Sequence, residues 1–186
     1  LTAIEFVLLL IGGMSVFDAL TTAFSTAGTG GFSTYNDSMG HFDSYYLQTV
    51  VAVFMMLFGI NFYIYILILT RKFKQILKSE ELFVYLGILI LSTATIAINL
   101  LSYYDSVKEA LHQSFFYVSS ILSSTGFAIT DTNPWPTYSV SLILILTCIG
   151  ACAGSTGGGF KVSRIIILFK EILYSFVDKN GKQINL

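Results

Sequence analysis

Two short segments of this sequence could hold a dehydrated monovalent cation. Residues 25–34 read Ser-Thr-Ala-Gly-Thr-Gly-Gly-Phe-Ser-Thr, and residues 119–128 read Ser-Ser-Ile-Leu-Ser-Ser-Thr-Gly-Phe-Ala. Backbone carbonyls can replace the hydration shell of an ion without full charges that would trap it, and glycine allows dihedrals that turn successive carbonyls toward one axis. A single Thr-Gly-Phe is nearly as consistent with an ordinary turn, but two uncharged copies at matching places favour an ion filter.

These segments lie between apolar stretches that predict membrane-spanning helices. Residues 46–69 and 82–101 carry no charge and reach the roughly 20 residues that a helix needs to cross a bilayer. Residues 138–169 are interrupted by five glycines and then carry Lys161 and Arg164, which predicts a span broken in its lower half. Residues 1–13 predict the end of a truncated span, so we expect the sequence to be a piece of a longer chain.

The two hydroxyl-rich segments belong to stretches with an intermediate character. Residues 17–34 and 110–130 are too polar to cross a membrane alone and too apolar to be ordinary loops. Each predicts a re-entrant segment, in which a short helix dips into the membrane and an extended strand climbs out. Non-helical backbone survives at that depth only where it is buried in protein or faces water, and a pore offers both.

The chain repeats itself at a distance of 95 residues. The shift aligns Ser25 with Ser120, Gly31 with Gly126, Phe32 with Phe127, and Gly59 with Gly154. These matches fall at corresponding points of a span, a pore loop and a second span, here named M1, P and M2. The sequence therefore predicts an all-α integral membrane fold of two tandem M1-P-M2 units, residues 1–75 with a truncated M1 and residues 76–186 with a short cytoplasmic tail.

Composition excludes several classes of protein. A mean hydropathy of +0.74 and 54% hydrophobic residues leave too little polar surface for a soluble globule, so the lipid bilayer is the expected solvent. With 10 basic and 11 acidic residues there is no positive face for nucleic acid. Cys148 and Cys152, four apart in an apolar run, are predicted to share one helix face as packing residues; a redox or metal pair lacks a second Cys or His pair nearby.

Two enzyme classes fail on specific residues. The run from Gly154 to Gly159 resembles a phosphate-binding loop, but Phe160 follows it and Lys161 precedes a valine, where the motif needs Gly-Lys followed by Ser or Thr. A membrane serine protease needs a histidine at the depth of its serine, and both histidines lie outside the predicted spans. The sequence predicts no catalytic residue and no cofactor.

Charge predicts the orientation of the chain. Lysines and arginines crowd the connection after residue 69 and the tail after residue 169, at Arg71, Lys72, Lys74, Lys78, Lys170, Lys179 and Lys182. These ends are predicted to be cytoplasmic. The opposite side carries five acidic residues against Lys108 alone, namely Asp37, Asp43, Asp105, Glu109 and Asp131. An acidic vestibule attracts cations, although a solvated loop without a role explains the same residues equally well.

Three stretches carry a resemblance to a known family: Thr29-Gly-Gly-Phe-Ser-Thr34, Ser124-Thr-Gly-Phe127 with a later Trp135-Pro136, and Gly150-Ala-Cys-Ala-Gly-Ser-Thr-Gly-Gly-Gly-Phe-Lys-Val-Ser-Arg164. They resemble the Trk/Ktr/HKT superfamily of potassium transporters, most closely its TrkH-type subunits. That family folds as four M1-P-M2 repeats around a K-channel-like, pseudo-fourfold pore. The resemblance implies that this chain supplies the third and fourth repeats.

The resemblance also implies residue roles. Main-chain oxygens of two filter strands would bind K⁺, namely those of Thr29, Gly30, Gly31, Phe32 and Ser33, and of Ser124, Thr125, Gly126, Phe127 and Ala128. An intramembrane loop at Gly59, Ile60 and Asn61 would act as a gate together with a basic residue of the last span. Arg164 is the predicted gate cation and Lys161 the alternative. Arg164 has an alternative interpretation without a role in gating, as an arginine at a helix end whose side chain reaches the cytoplasmic interface.

The same resemblance implies K⁺ uptake across the cytoplasmic (inner) membrane by a multi-pass homodimer. It implies a cytoplasmic nucleotide-binding regulatory partner of the TrkA or KtrA kind. Channel-like flux and symport coupled to Na⁺ or H⁺ both remain open, as does conduction of K⁺ alone or of K⁺ and Na⁺. A non-conducting membrane subunit is the third alternative. The chain departs from TrkH-type relatives in having Phe160 before Lys161 and little sequence after Asp178.

Overall fold

The computed structural model describes residues 1–178, and this part of the chain is all helical, without β-strands. The helices are α1 (Thr2–Ile11), α2 (Val16–Ala27), α3 (Tyr45–Phe58), α4 (Phe62–Leu69), α5 (Phe73–Ile76), α6 (Glu80–Leu100), α7 (Val107–Leu122), α8 (Thr137–Ile149) and α9 (Val162–Asp178). One 3-10 turn spans Ser38–His41. The prediction of an all-α fold is confirmed, while Lys179 and Lys182 of the predicted cytoplasmic tail lie outside the described residues.

The helices form two bundles of the same kind. In the first bundle α1, α2 and α3 pack on one another, and in the second α6, α7 and α8 do the same. The middle helices α2 and α7 therefore each contact both other helices of their bundle. α7 also packs on α3, which joins the two bundles, and α9 packs on α6. Each bundle thus consists of three consecutive helices in which the middle one packs on both of its neighbours.

The re-entrant helices α2 and α7 end at equivalent residues, Ala27 and Leu122, which are 95 positions apart. Their starts differ, because α7 extends about one turn further toward its N-terminus. α2 begins where Ser15 Oγ accepts the N–H of Asp18 at 3.1 Å, which satisfies one of the free N–H groups of the helix start. Both helices lead into the non-helical segments that were predicted to follow them.

The apolar run over residues 46–69, which hydropathy alone predicts as one helix, is broken at the place where the resemblance implies an intramembrane loop. α3 ends at Phe58, and α4 begins at Phe62 with its axis turned by 91°. The local sequence explains the break, since Gly59 caps the end of α3 and Asn61 Oδ1 accepts the N–H of Tyr63 at 2.9 Å as the N-cap of α4. Residues 59–61, the predicted gate loop, therefore form a non-helical link.

The predicted break in the last span is confirmed. α8 ends at Ile149, and residues 150–161 are non-helical up to the start of α9. The prediction that Cys148 and Cys152 share a helix face is wrong, because the helix ends between them. Cys148 is exposed, and Cys152 is buried within the break.

Apolar side chains cover the outside of the bundles. Within residues 1–178, α6 is the one helix that is long and apolar enough to cross a bilayer alone, and α3 with α4 qualifies when counted as one bent span. The predicted helix over residues 82–101 is therefore confirmed in α6, and its length and composition fit a membrane span. Ile90, Leu91 and Ile98 of α6 are 65–70% exposed. Such apolar surface is suited to contact with lipid or with further membrane protein.

Candidate ion-conducting site

The helices α2 and α7 end in the same hydrogen-bonded turn. Two backbone N–H groups beyond each helix donate back to carbonyls of its last turn, and the pairs are equivalent under the 95-residue shift. They are Thr29 to Thr26 at 3.1 Å and Gly30 to Ser25 at 2.8 Å in the first loop, and Ser124 to Ile121 at 2.9 Å and Thr125 to Ser120 at 2.9 Å in the second. This pair of bonds is the Schellman motif, which reverses the chain at a helix end. Both loops leave their helices with the same geometry.

The two loops also share an alternation of backbone handedness. Thr29 and Gly31 have φ angles of 50° and 67°, and the equivalent Ser124 and Gly126 have 63° and 86°. Glycine adopts this left-handed conformation freely, whereas threonine or serine there costs roughly 1 kcal/mol. A hydroxyl residue at the helix-cap position usually occupied by glycine, in both loops, indicates a functional constraint.

Most carbonyl groups of the loops are uncommitted. The carbonyls of residues 29–33 accept no hydrogen bond from the described part of the chain, and neither do those of residues 124–126. All of these residues except Thr125 are exposed or half-buried, so their carbonyls are open to water or to an ion. They are also the acceptors that a dehydrated cation requires, so eight of the ten predicted filter residues have an oxygen available for an ion.

The last two predicted filter residues of the second loop are bonded to the protein. The carbonyl of Phe127 accepts the hydroxyl of Ser120 at 2.7 Å, and the carbonyl of Ala128 accepts the N–H of Gly40 at 3.1 Å. Phe127 itself is buried, with 1% of its surface exposed, whereas the equivalent Phe32 is 80% exposed. The second loop is thus anchored at its end in a way that the first is not.

The two loops meet at their glycines. A Cβ atom at Gly31 would run into the carbonyl oxygen of Thr125 and would lie 3.2 Å from the carbonyl carbon of Gly126. No side chain larger than hydrogen fits there without moving the second loop. At Gly126, by contrast, no atom of the described residues lies within 4 Å of the Cβ position. Gly31 therefore combines a left-handed conformation with a close backbone contact.

The break in the last span lies directly against both loops. A Cβ at Gly157 would stand 2.6 Å from Cβ of Ala151 and 2.7 Å from the carbonyl oxygen of Ser123. The hydroxyl of Thr29 donates to the carbonyl of Thr156 at 3.0 Å. A movement of the break would consequently displace the start of each loop.

The two breaks are hydrogen-bonded to each other. The N–H of Phe62 donates to the carbonyl of Gly154 at 3.0 Å, and the N–H of Cys152 donates to the carbonyl of Gly59 at 3.0 Å. A Cβ at Gly154 would lie 3.1 Å from Oδ1 of Asn61. Each break thus supplies hydrogen-bond partners for backbone groups that the other break leaves free. Non-helical backbone at membrane depth requires such partners.

The two candidate gate cations occupy different surroundings. Lys161 is half-buried in the break, has a φ of 81°, and donates from Nζ to the carbonyl of Gly157. Arg164 is exposed in the first turn of α9, and its side chain makes no hydrogen bond within residues 1–178.

Comparison with known proteins identifies the family. Residues 7–186 match the family described as TrkH, cation transport protein. This chain belongs to the TrkH family. The family is described as one of cation transport proteins.

Relatives of this TrkH-family chain carry potassium in their names. The Trk system potassium uptake protein TrkH of Salmonella typhimurium is 38% identical over 162 residues, which cover 86% of this chain and 34% of that protein. The protein of the same name in Escherichia coli K12 is 36% identical with the same coverage. The chain thus spans about a third of the length of the curated relatives it matches.

A solved structure has the same fold. The crystal structure of the potassium transporter TrkH from Vibrio parahaemolyticus matches this TrkH-family chain with a TM-score of 0.91 and 34% identity. The match covers all of this chain and 42% of that one. The expected identity of the family and the membrane fold are both confirmed.

Several residues around the breaks of this TrkH-family chain were not predicted. They are polar groups that satisfy backbone atoms freed by the breaks: Tyr85 donates to Met56 at 3.0 Å, Tyr65 donates to Leu57 at 2.6 Å, and Glu81 accepts from Ala153 at 2.6 Å. Glu81 and Tyr85 stand four residues apart, on one face of α6. Two polar side chains at that spacing in an apolar helix are the signal that could have found them.

Proposed function

We propose that this chain forms two of the loops that line a K⁺ pathway, and that K⁺ passes over backbone oxygens of residues 29–33 and 124–126. The observation that carries the proposal is the contact between Gly31 and Thr125, because it brings two sets of uncommitted carbonyls together. The loops carry no charged side chain, which suits an ion that must be bound and released quickly.

Potassium is the proposed ion because the relatives are named as potassium uptake proteins. Movement of K⁺ down its electrochemical gradient needs no catalytic residue and no cofactor, so the proposed activity is transport and not an enzymatic reaction. Coupling to Na⁺, mixed conduction of K⁺ and Na⁺, and a non-conducting role are the alternatives that flux measurements separate.

The proposed gate is formed by the two hydrogen-bonded breaks together with a basic residue. Residues 59–61 and 150–161 are tied by two backbone hydrogen bonds, and residues 156–157 touch both loops. A rearrangement of this pair would widen or close the space below the filter. Arg164 and Lys161 are the cations that could oppose a passing ion by charge repulsion.

The proposed setting is the cytoplasmic membrane, with the cluster at residues 71–78 on the cytoplasmic side. This cluster consists of four exposed basic residues, Arg71, Lys72, Lys74 and Lys78. By the positive-inside rule, a short loop rich in Lys and Arg lies on the cytoplasmic side. Membership of the TrkH family is the support for two further proposals, a homodimer and a nucleotide-binding regulatory partner of the TrkA or KtrA kind.

The experiment is ion uptake by the purified full-length protein in liposomes. We expect K⁺ and its analogue Rb⁺ to enter and Na⁺ to be strongly disfavoured, and Gly31→Ser to weaken that preference. Gly87→Ser is the matched control, since Gly87 lies on α6 and, apart from the neighbouring helix backbone, no atom of residues 1–178 lies within 4 Å of its Cβ position. A full-length protein that carries no ion in liposomes, with or without a nucleotide-binding partner, would identify a non-conducting subunit.

A further inference from the structure

The segment that follows the first filter loop is tied to its own re-entrant helix by one carboxylate. Asp18, the third residue of α2, is 9% exposed. Its Oδ1 accepts the hydroxyl of Thr34 at 3.0 Å, and its Oδ2 accepts the hydroxyls of Ser15 at 2.7 Å and Tyr35 at 3.3 Å. Thr34 and Tyr35 come directly after filter residues 29–33, so the carboxylate holds the exit of the loop.

The second unit has a tie at the equivalent place, made from a different residue type. Gln113 lies 95 positions after Asp18 and is 7% exposed. Its Oε1 accepts the hydroxyl of Thr130 at 3.1 Å, and Thr130 is the equivalent of Tyr35. Tyr117 adds to this tie, because its hydroxyl accepts the N–H of Thr130 at 3.0 Å and donates to the carbonyl of the same residue.

Helix capping accounts for the position of Asp18 but not for that of Gln113. Asp18 and Ser15 form a reciprocal cap at the start of α2. Gln113 is the seventh residue of α7, beyond the first turn, where the backbone N–H groups already have helical partners. What the two positions share is therefore the hydrogen bond to the segment that follows the filter loop.

Aromatic contacts fix the partners of both ties. The ring of Tyr35 stacks on His41 with centroids 3.6 Å apart and an angle of 7°, and the ring of Tyr117 meets Trp135 edge-on at 4.9 Å and 71°. Burial and the negative charge of Asp18 raise the pKa of Tyr35 above its ordinary value, so the phenol keeps the proton that it donates. The ties thus join two rigid parts, a helix and a packed aromatic group.

We infer that Asp18 and Gln113 are positioning residues for ion selectivity, each holding the strand after its loop so that the filter carbonyls cannot close around a smaller ion. The inference rests on the proposed function, since it assigns a task only if the loops conduct. Strands that are free to move inward would coordinate Na⁺ better and lose preference for K⁺. Hydrogen bonds to a carboxylate are roughly twice as strong as neutral ones, so the first tie should matter more than the second.

The test compares isosteric variants of the tied hydroxyl in the full-length protein. Thr34→Val removes the hydroxyl and keeps the shape, whereas Thr34→Ser keeps the hydroxyl. In liposome uptake with competing Na⁺, Thr34→Val should lower the K⁺-over-Na⁺ preference by about tenfold, the equivalent of one hydrogen bond to a charged group, and Thr34→Ser should leave it near wild type. Thr130→Val should give a smaller change in the same direction.

Ser15→Ala separates the tie from the cap. It removes the cap of α2 but leaves the bonds from Thr34 and Tyr35 to Asp18, so thermal stability should fall while ion preference stays. An equal loss of preference in Ser15→Ala and Thr34→Val would assign the effect to helix integrity and overturn the inference. Unchanged preference in Thr34→Val, with Gly31→Ser still reducing it, would overturn the inference and leave the filter in place. Absence of selective uptake by the wild type would overturn the filter and the inference together.

Discussion

The two filter loops have the same backbone turn but are held in different ways. The second loop is fixed from behind, because the Ser120 hydroxyl binds the carbonyl of a Phe127 buried in the core. The equivalent Ser25 hydroxyl is buried and makes no hydrogen bond within residues 1–178, and Phe32 is 80% exposed. The first loop instead relies on its contact with the second loop and on the carboxylate of Asp18. Equivalent turns in a repeated protein do not require equivalent supports.

The two M2 breaks also differ from each other, in their length and in their backbone conformation. The first is a sharp three-residue link, at residues 59–61, whose ends are capped by Gly59 and Asn61. The second extends over residues 150–161 and carries left-handed residues at Gly150, Gly154, Gly159 and Lys161. A short link with capped ends is expected to stay rigid, whereas a long glycine-rich segment can change its conformation. We therefore expect the second break to be the moving part of the gate.

The largest expected effect comes from replacing the equivalent filter glycines Gly31 and Gly126 by alanine. Gly31→Ala should sharply reduce Rb⁺ uptake by the full-length protein and, like Gly31→Ser, weaken its preference over Na⁺, because the new Cβ meets the Thr125 carbonyl and the residue must keep a positive φ of 67°. Gly126→Ala adds only the strain of a φ of 86° and should reduce uptake partially. Equal loss in both variants would show that another part of the protein closes on Gly126 as tightly as Thr125 closes on Gly31.

The gate cations give the next largest effect. Arg164 stands 95 positions after Leu69, so the second unit has a cation where the first has an apolar side chain. Arg164→Ala should raise basal K⁺ uptake several-fold and weaken its dependence on a regulatory partner, because a positive charge below the filter would be lost.

Lys161→Ala is the matched comparison for the gate. Because Lys161 binds the carbonyl of Gly157, its removal should loosen the break and change uptake less than Arg164→Ala does. A change in uptake and regulation confined to Lys161→Ala would move the gate to that residue. Normal uptake and regulation in both variants would make both cations interface anchors and end the gating proposal.

A smaller effect, on stability, should show that the two loops are supported by different contacts. Ser120→Ala removes the hydrogen bond to the Phe127 carbonyl and should lower the free energy of unfolding by about 1 kcal/mol. Ser25→Ala removes a hydroxyl without a partner in the described residues and should change stability by less than that. Thermal unfolding of the detergent-purified protein measures both, and an equal loss would contradict the difference in support.

Topology gives the smallest perturbation. In a Cys148→Ser background, single cysteines at the exposed positions Lys74 and Asp131 should react with a membrane-impermeant thiol reagent from opposite sides of the membrane. Lys74→Cys should label from the cytoplasmic side only. Labelling of both positions from one side would contradict the predicted order of spans.

Much of this architecture is readable from the sequence, and the reason is physical. Apolar length predicted α6, and the repeated Gly-Phe pair located both loops. The break at residues 59–61 escaped the hydropathy pattern, because Gly-Ile-Asn is uncharged and sits inside an apolar run. Its terminating signal is local capping by Gly59 and Asn61, which depends on individual residues and not on an average over the span.

The contacts that hold the site could not be found by matching residues between the repeats. The ties at positions 18 and 113 use aspartate in one unit and glutamine in the other, so residue identity conceals their equivalence. The hydrogen bonds between the two breaks join Gly59 with Cys152 and Phe62 with Gly154. Such bonds depend on how the bundles pack, which the pattern along the chain does not specify.

The most direct test of the central claim, that the two loops line one cation pathway, is to locate a bound ion. Crystals of the full-length protein grown with Rb⁺ or Tl⁺ in place of K⁺ allow the ion to be placed by its anomalous scattering. We predict a peak beside the loop carbonyls at the level where Gly31 meets Thr125, which disappears in Gly31→Ser. An empty position there, with the ion bound elsewhere in the protein, would contradict the account.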